Sequence, residues 1–361
     1  MALTWRGIDA IPLVHGRLAF ALEVRRRLLE ERYDAVAVEL PASLGDVVLR
    51  GVDDLPIASL VLYREQPEFM GPQPIYYVPV QPGDGVIEAL RIARGERLPT
   101  YFVDAEIEGF QPRGAILPDP YALHTLGLET FVDASKDAVS LHRADRNEVE
   151  SESDLIREMH MAARLAALSE EHEKILFVCG MAHWAPIRSL LERGVGALHT
   201  NAGVPREQVW LGTPEPGTFR MLSGEIPYVV EAYEGHRAGW TLDDFDVVAA
   251  LKDLLIEARA LFLERFPGSL ERPDPPALRT LLDFARRLTV RRGYLIPDTY
   301  TLVVAANGVV GNDFALVVAE LANRYRPNGE LMFAMPPQVG GDTGEGTGDE
   351  IDGAGGMPSP G

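Results

Sequence analysis

The sequence predicts an α/β protein built on a mostly parallel sheet with helices on both faces, followed by a helical C-terminal subdomain. Short runs rich in β-branched residues alternate with amphipathic helical stretches over roughly the first 190 residues. Several of those runs are apolar throughout, as expected of strands covered on both faces. Beyond about residue 240 the strand-like runs stop and helical apolar periodicity takes over.

IDAIPLV (8–14) reads as the first strand. From Arg17 to Tyr33 the apolar residues Phe20, Ala21, Val24 and Leu28 recur at helical spacing, and AVAVEL (35–40) follows as a second strand. Strand, helix and strand over this length form a βαβ unit, which crosses over right-handed. SLVLYRE (59–65), IYYVPV (75–80) and TYFVDAE (100–106) read as further strands, and DGVIEALRIAR (84–94) as a helix. The stretch 109–152 reads as loop-rich and charged. A helix is expected at 153–171 with Leu155, Met159, Ala162 and Ala166 buried, then a strand, KILFVCG (174–180), and a helix from Ala185 to Arg193.

TLDDFDVVAALKDLLIEARALFLERF (241–266), PALRTLLDFARRLTVRR (276–292) and about 312–325 read as C-terminal helices, with GYLIPDTY as a separator. The expected organisation is an α/β core over 1–240, a helical subdomain over 241–336, and an acidic, Gly-rich disordered tail over 337–361.

The chain has 361 residues and a formal net charge of −20. Such a surface repels phosphate backbones and anionic lipid, which argues against nucleic acid or a membrane as partner. Its single cysteine, Cys179, excludes an intrachain disulfide and sits inside a strand, where an inert thiol is expected. The N-terminal residues show no basic start with a long apolar stretch, and no run approaches about 18 apolar residues. A cytoplasmic location is the expectation.

In an open parallel sheet, ligands bind outside the carboxyl ends of the strands. His15 follows the first strand, Glu39 ends the second, Asp104 ends YFV, and His183 follows ILFVCG. Two imidazoles and two carboxylates could hold Zn, Mn or Fe, with His15, Glu39, His183 and Asp104 as ligands. The same set could run acid–base chemistry without metal. Glu39 stands in an apolar strand, where an acid must be paired, metal-bound or shifted in pKa. Arg157, in the 153–171 helix, would supply a fixed positive fork if it faces the crevice. His160 lies three residues from Arg157 on the same helix, and His124, His142, His172, His199 and His236 carry no such context. If the three His/Glu strands lie together, the tips of His15, Glu39 and His183 should stand roughly 4–8 Å apart.

IPLVHG, DAVAVELP, IREMHMAARL and ILFVCGMAHW occur in that order, and together they resemble the superfamily of TraB/Tiki proteins, ChaN and the erythromycin esterases. The resemblance covers roughly 8–193 and places family positions at His15, Glu39, Arg157-Glu158 with Met161-Ala162, and Gly180 with His183. The version REMHMA…VCGMAHW looks closest to an uncharacterised bacterial branch encoded near MoxR-type AAA+ ATPases and von Willebrand A-domain proteins. The resemblance implies a hydrolase, metal-assisted as in the Tiki-like members or an esterase as in the antibiotic-resistance members. Pro12 stands where the family usually has glycine or an acid, which weakens the esterase implication.

Two functions are therefore expected. The first is a hydrolase of a small molecule or peptide in which His15, Glu39, His183 and Arg157 carry catalysis, with a divalent metal activating water. The second is a non-catalytic adaptor that binds a MoxR-type ATPase or an A-domain protein.

Overall fold

Apolar character without interruption makes a strand that must be covered on both sides, and four such strands build the centre of this molecule. A computed structural model describes residues 2–65, 74–107, 117–144, 148–200, 203–238 and 245–326. The tail expected at 337–361 lies outside the described residues.

The main sheet has five strands, β1 (Thr4–Trp5), β2 (Ile8–Leu13), β3 (Ala35–Pro41), β6 (Thr100–Asp104) and β7 (Ile175–Gly180), in the spatial order β1-β2-β7-β3-β6. β2, β7, β3 and β6 run parallel, and the short β1 pairs antiparallel at the β2 edge. Leu13 pairs with Gly180 and Val38 with Val178, so the four carboxyl ends lie along one edge. β7, late in the sequence, inserts between the first two long strands.

β4 (Ser59–Tyr63) and β5 (Tyr76–Val80) do not join this sheet, although their alternation with helices suggests a continuing parallel series. They form a separate antiparallel sheet with β8 (Val209–Gly212), in the order β5-β4-β8. β8 carries no strong sequence signal because it is four residues long and one of them is glycine. A strand this short gains its pairing from tertiary context. One face of this sheet packs on α2 (Gly45–Asp53): a Cβ on Gly51 would stand 2.7 Å from Ser59 Oγ and 3.2 Å from both Val80 Cγ1 and Leu211 Cδ1.

The remaining helices are α1 (Leu18–Glu30), α3 (Gly85–Glu96), α4 (Leu123–Leu126), α5 (Leu128–Ala144), α6 (Glu148–Glu171), α7 (Trp184–Glu192), α8 (Phe219–Leu222), α9 (Pro227–Ala238), α10 (Val247–Arg265), α11 (Pro275–Arg291), α12 (Thr299–Val309) and α13 (Asn312–Ala322). Two of these correct the sequence reading. α5 lies inside the stretch read as loop, with Leu128, Phe131, Val132 and Ser135 buried at i, i+3, i+4 and i+7. α12, TYTLVVAANGV, lies where only a separator was expected, and Asp298 caps it by accepting from the Thr301 amide at 2.7 Å.

α6 also presents a different face from the expected one. Leu155 is 49% exposed, while Asp154, Arg157, Glu158, Met161, Ala162, Leu165 and Leu168 are buried. The buried stripe tolerates charge because Arg157 meets Asp104 and Glu39, and Glu158 meets Arg143 and His183. No helix among the described residues is long and apolar enough to cross a membrane. A single apolar cluster runs from the sheet through Tyr233, Ala258, Phe262 and Phe314, so the C-terminal helices and the strands share one core.

Candidate active site

The parallel edge brings the sequence-predicted residues together. His15 leaves β2 through Gly16, whose φ of +69° turns the chain into α1. Glu39 ends the apolar part of β3, Asp104 ends β6, and His183 follows β7 at the start of α7. β7 ends in Gly180, which faces the site. A Cβ there would lie 3.4 Å from Glu39 Oε2, 3.6 Å from His15 Nε2 and 3.6 Å from His183 Cδ2. Three functional groups thus ring one small space above a glycine.

Arg157 reaches into the same edge from α6 and is buried, at 4% exposure. Its Nε donates to Asp104 Oδ1 at 3.0 Å, and its Nη2 donates to Asp104 Oδ2 at 2.6 Å and Glu39 Oε1 at 2.5 Å. Its Nη1 lies 3.3 Å from His183 Nε2. The second oxygen of Glu39 accepts from the Gly180 amide at 2.6 Å. Burial disfavours the Arg157 cation, but Asp104 and then Glu39 outweigh it and hold the guanidinium charged. Burial likewise disfavours the Glu39 carboxylate. In the acid range, where both imidazoles are protonated, His183, then Arg157 and His15, with the Gly180 amide, bring its pKa down to about 2.

His183 is buried, with Nδ1 3.0 Å from Glu158 Oε1 and Nε2 3.4 Å from Glu39 Oε1. Glu158 also accepts from Arg143 Nη1 at 2.6 Å and Nη2 at 3.2 Å. A carboxylate only accepts, so the proton of neutral His183 is inferred to sit on Nδ1. His15 repeats this arrangement in the open. Its Nδ1 lies 3.6 Å from Asp84 Oδ2, and its side chain is 55% exposed. Partial desolvation of the ring by its neighbours opposes protonation, but Asp84 and then Glu39 favour it, so the pKa stands above the ordinary 6.5. Solvent around the ring screens that shift.

Asp84 and Glu158 are the functional partners that sequence reasoning did not assign. Asp84 accepts from the Gly16 amide at 2.7 Å and caps α3 through the Val86 and Ile87 amides. Capping fully explains an aspartate before a helix, which hides a second role in one dimension. Glu158 adjoins Arg157 in the α6 motif, where the resemblance marks its position but assigns it no partner.

The metal expectation meets a different arrangement. Every oxygen of Glu39 and Asp104 accepts from an Arg157 or backbone N–H (Asp104 Oδ1 also from Ala105), and the guanidinium occupies the ground between the two acids. A cation already stands where a metal would need these ligands, so this donor set does not fit a divalent ion as arranged. Among the described residues no group of three or more His, Cys, Asp or Glu side chains is placed to hold one. Cys179 is buried beneath the edge, and burial pushes its thiol pKa well up. Among the other histidines, His160 accepts from the His199 amide at 3.0 Å and His172 meets the Tyr101 hydroxyl at 2.8 Å.

A cleft of about 340 Å³ opens beside His15, with Asp84, Gln81, Leu40, Val86 and Met221 among its walls. A second cavity of about 340 Å³ shares Ser223 and Gly224 with it and contains none of the sequence-predicted site residues. No family model, curated protein or solved structure matches this chain.

Proposed function

We propose that the protein is a hydrolase of small acyl compounds in which His15 is the general base. The observation that supports this reading is the paired geometry. Two imidazoles each have Nδ1 beside a carboxylate, both border the space above Gly180, and one of them stands half-open at a cleft. Neutral His15 takes a proton from water through Nε2 as the water oxygen attacks the acyl carbon. The imidazolium so formed is favoured by Asp84 and Glu39. It then returns the proton to the departing group as the carbon–heteroatom bond breaks. Arg157 acts as a positioning residue, fixing Glu39 opposite His15.

The test is turnover of a panel of p-nitrophenyl esters and p-nitroanilides. His15→Ala should lower kcat/KM by about 10²–10⁴-fold with a native circular dichroism spectrum. Undiminished turnover by that variant sinks the reading. Activity lost on chelation and restored by Zn, Mn or Fe would instead favour the metal-assisted version, with Arg157 displaced from the acids.

A second reading is the adaptor for a MoxR-type ATPase or A-domain protein. The observation favouring it is an apolar row across the outer face of the three-stranded sheet. Tyr77 is 56% exposed and Trp210 is 39% exposed, and both pair with Leu62. Under that reading Trp210→Ala abolishes co-elution with the purified ATPase while His15→Ala leaves it intact.

A further inference from the structure

We infer that the cleft beside His15 binds a neutral aliphatic amide, whose N–H is received by the side-chain carbonyl of Gln81. This rests on the hydrolase reading only for what His15 then does to the bound molecule. Gln81 follows β5 and is 3% exposed. Its Nε2 donates to the Leu222 carbonyl at 3.1 Å. A carbonyl oxygen only accepts, so this contact decides which end of the side-chain amide is nitrogen. The other end, Oε1, is buried and meets no hydrogen-bond donor among the described residues. A buried acceptor without a donor is costly, and native proteins rarely keep one that no ligand or water satisfies.

The rest of the cleft specifies the remainder of the ligand. Leu40, Val78, Val86, Ile87 and Met221 make its walls largely apolar. Among the described residues no Lys or Arg lines it, and Asp84 contributes negative charge, so a carboxylate or phosphate ligand is disfavoured. An aliphatic acyl chain fits the walls. An ester and its isosteric amide share shape and carbonyl and differ in one group, the N–H. The amide supplies the donor that Oε1 lacks, and the ester leaves it unpaired. Sites built around a buried polar group discriminate strongly against analogues that cannot pair with it.

The experiment titrates the full chain with N-methylhexanamide and with methyl hexanoate by calorimetry, in the wild type and in Gln81→Met. The amide should bind at least about fivefold more tightly than the ester to the wild type. Gln81→Met, of similar length and without an acceptor, should bring the ratio to about one. Equal binding of the two ligands by the wild type overturns the inference without recourse to any variant. It is also overturned if neither ligand binds, or if folded Gln81→Met keeps the preference. Turnover of hexanoyl-p-nitroanilide separates the two readings, since amide preference without hydrolysis retains the amide site and removes the hydrolase.

Discussion

The two histidine–carboxylate pairs differ in what surrounds them. His183 is buried among Glu158, Glu39 and Arg157, and the acids beside it are bound by guanidinium or backbone N–H groups. His15 has one acid beside Nδ1, half its surface open, and a cleft alongside. A cluster with its hydrogen-bonding capacity consumed holds geometry. Asp84 is likewise bound by backbone N–H groups, so what sets the second pair apart is the half-open imidazole of His15 beside the cleft. The difference teaches that a constellation gathered at one sheet edge divides into a buried part and an open part; under the proposed function the first positions and the second acts.

The largest expected effect tests the buried side. Arg157→Ala leaves Glu39 and Asp104 facing each other without their shared cation, which should cost about 3–5 kcal/mol in urea-induced unfolding at pH 7. A loss below about 1 kcal/mol would mean that water or another cation already shares those acids, and the contrast with His15 would collapse.

The next effect concerns acid stability. Glu39 titrates at about 2 in the folded chain against an ordinary 4.5. Because the folded value is the lower one, its contribution is present above 4.5 and is lost as pH falls towards 2. A shift of this size corresponds to on the order of 3 kcal/mol. Unfolding of Glu39→Gln should therefore depend less on pH across that window than the wild type, the difference being read from paired urea titrations.

The open side predicts a subtler pH effect. His15 must be neutral to accept a proton, so kcat/KM should rise with pH along a limb whose midpoint lies above 6.5. Asp84→Asn keeps the cap on α3 but removes the charge beside Nδ1, and the limb should move to lower pH. An unmoved limb would assign the profile to another group. The linked stability has the opposite sign: the raised pKa stabilises the fold below 6.5 and that gain is lost as pH rises through the folded value. Smallest of all, Cys179 should stay unmodified by thiol reagents in the native chain for as long as the fold persists, given its complete burial. Rapid labelling would show that the floor of the site opens.

Much of this was legible in one dimension. Apolar runs announced β2, β3, β6 and β7, and a polar residue just past such a run has to stand at a strand end, so His15, Glu39, Asp104 and His183 could be named. Arg157 could be suspected from its motif. The acids Asp84 and Glu158 could not be assigned to the imidazoles, because a capping aspartate and a helix-surface glutamate look the same whether or not a histidine arrives beside them. The orientation of α6 was misjudged at Leu155 because an apolar stripe was preferred to one carrying Asp154, Arg157 and Glu158, and buried charge shows its compensation only once its partners are in place.

The sequence by itself determined β2 to β7, the helices α1, α3, α6, α7, α10, α11 and α13, and the chemical character of the main strand ends, since these follow from local periodicity and from the cost of burying an unpaired acid. Tertiary structure alone decided that β7 inserts between β2 and β3, which sets Gly180 beneath His15, Glu39 and His183. It also decided that Arg157 binds both acids and that Gln81 keeps an unpaired oxygen beside a cleft. Strand order and charge pairing join residues far apart in the chain, from 53 to 141 positions for the bonds that link Asp104, Arg157, Glu39 and Gly180. Such contacts depend on which surfaces meet after collapse, and no local pattern records that choice.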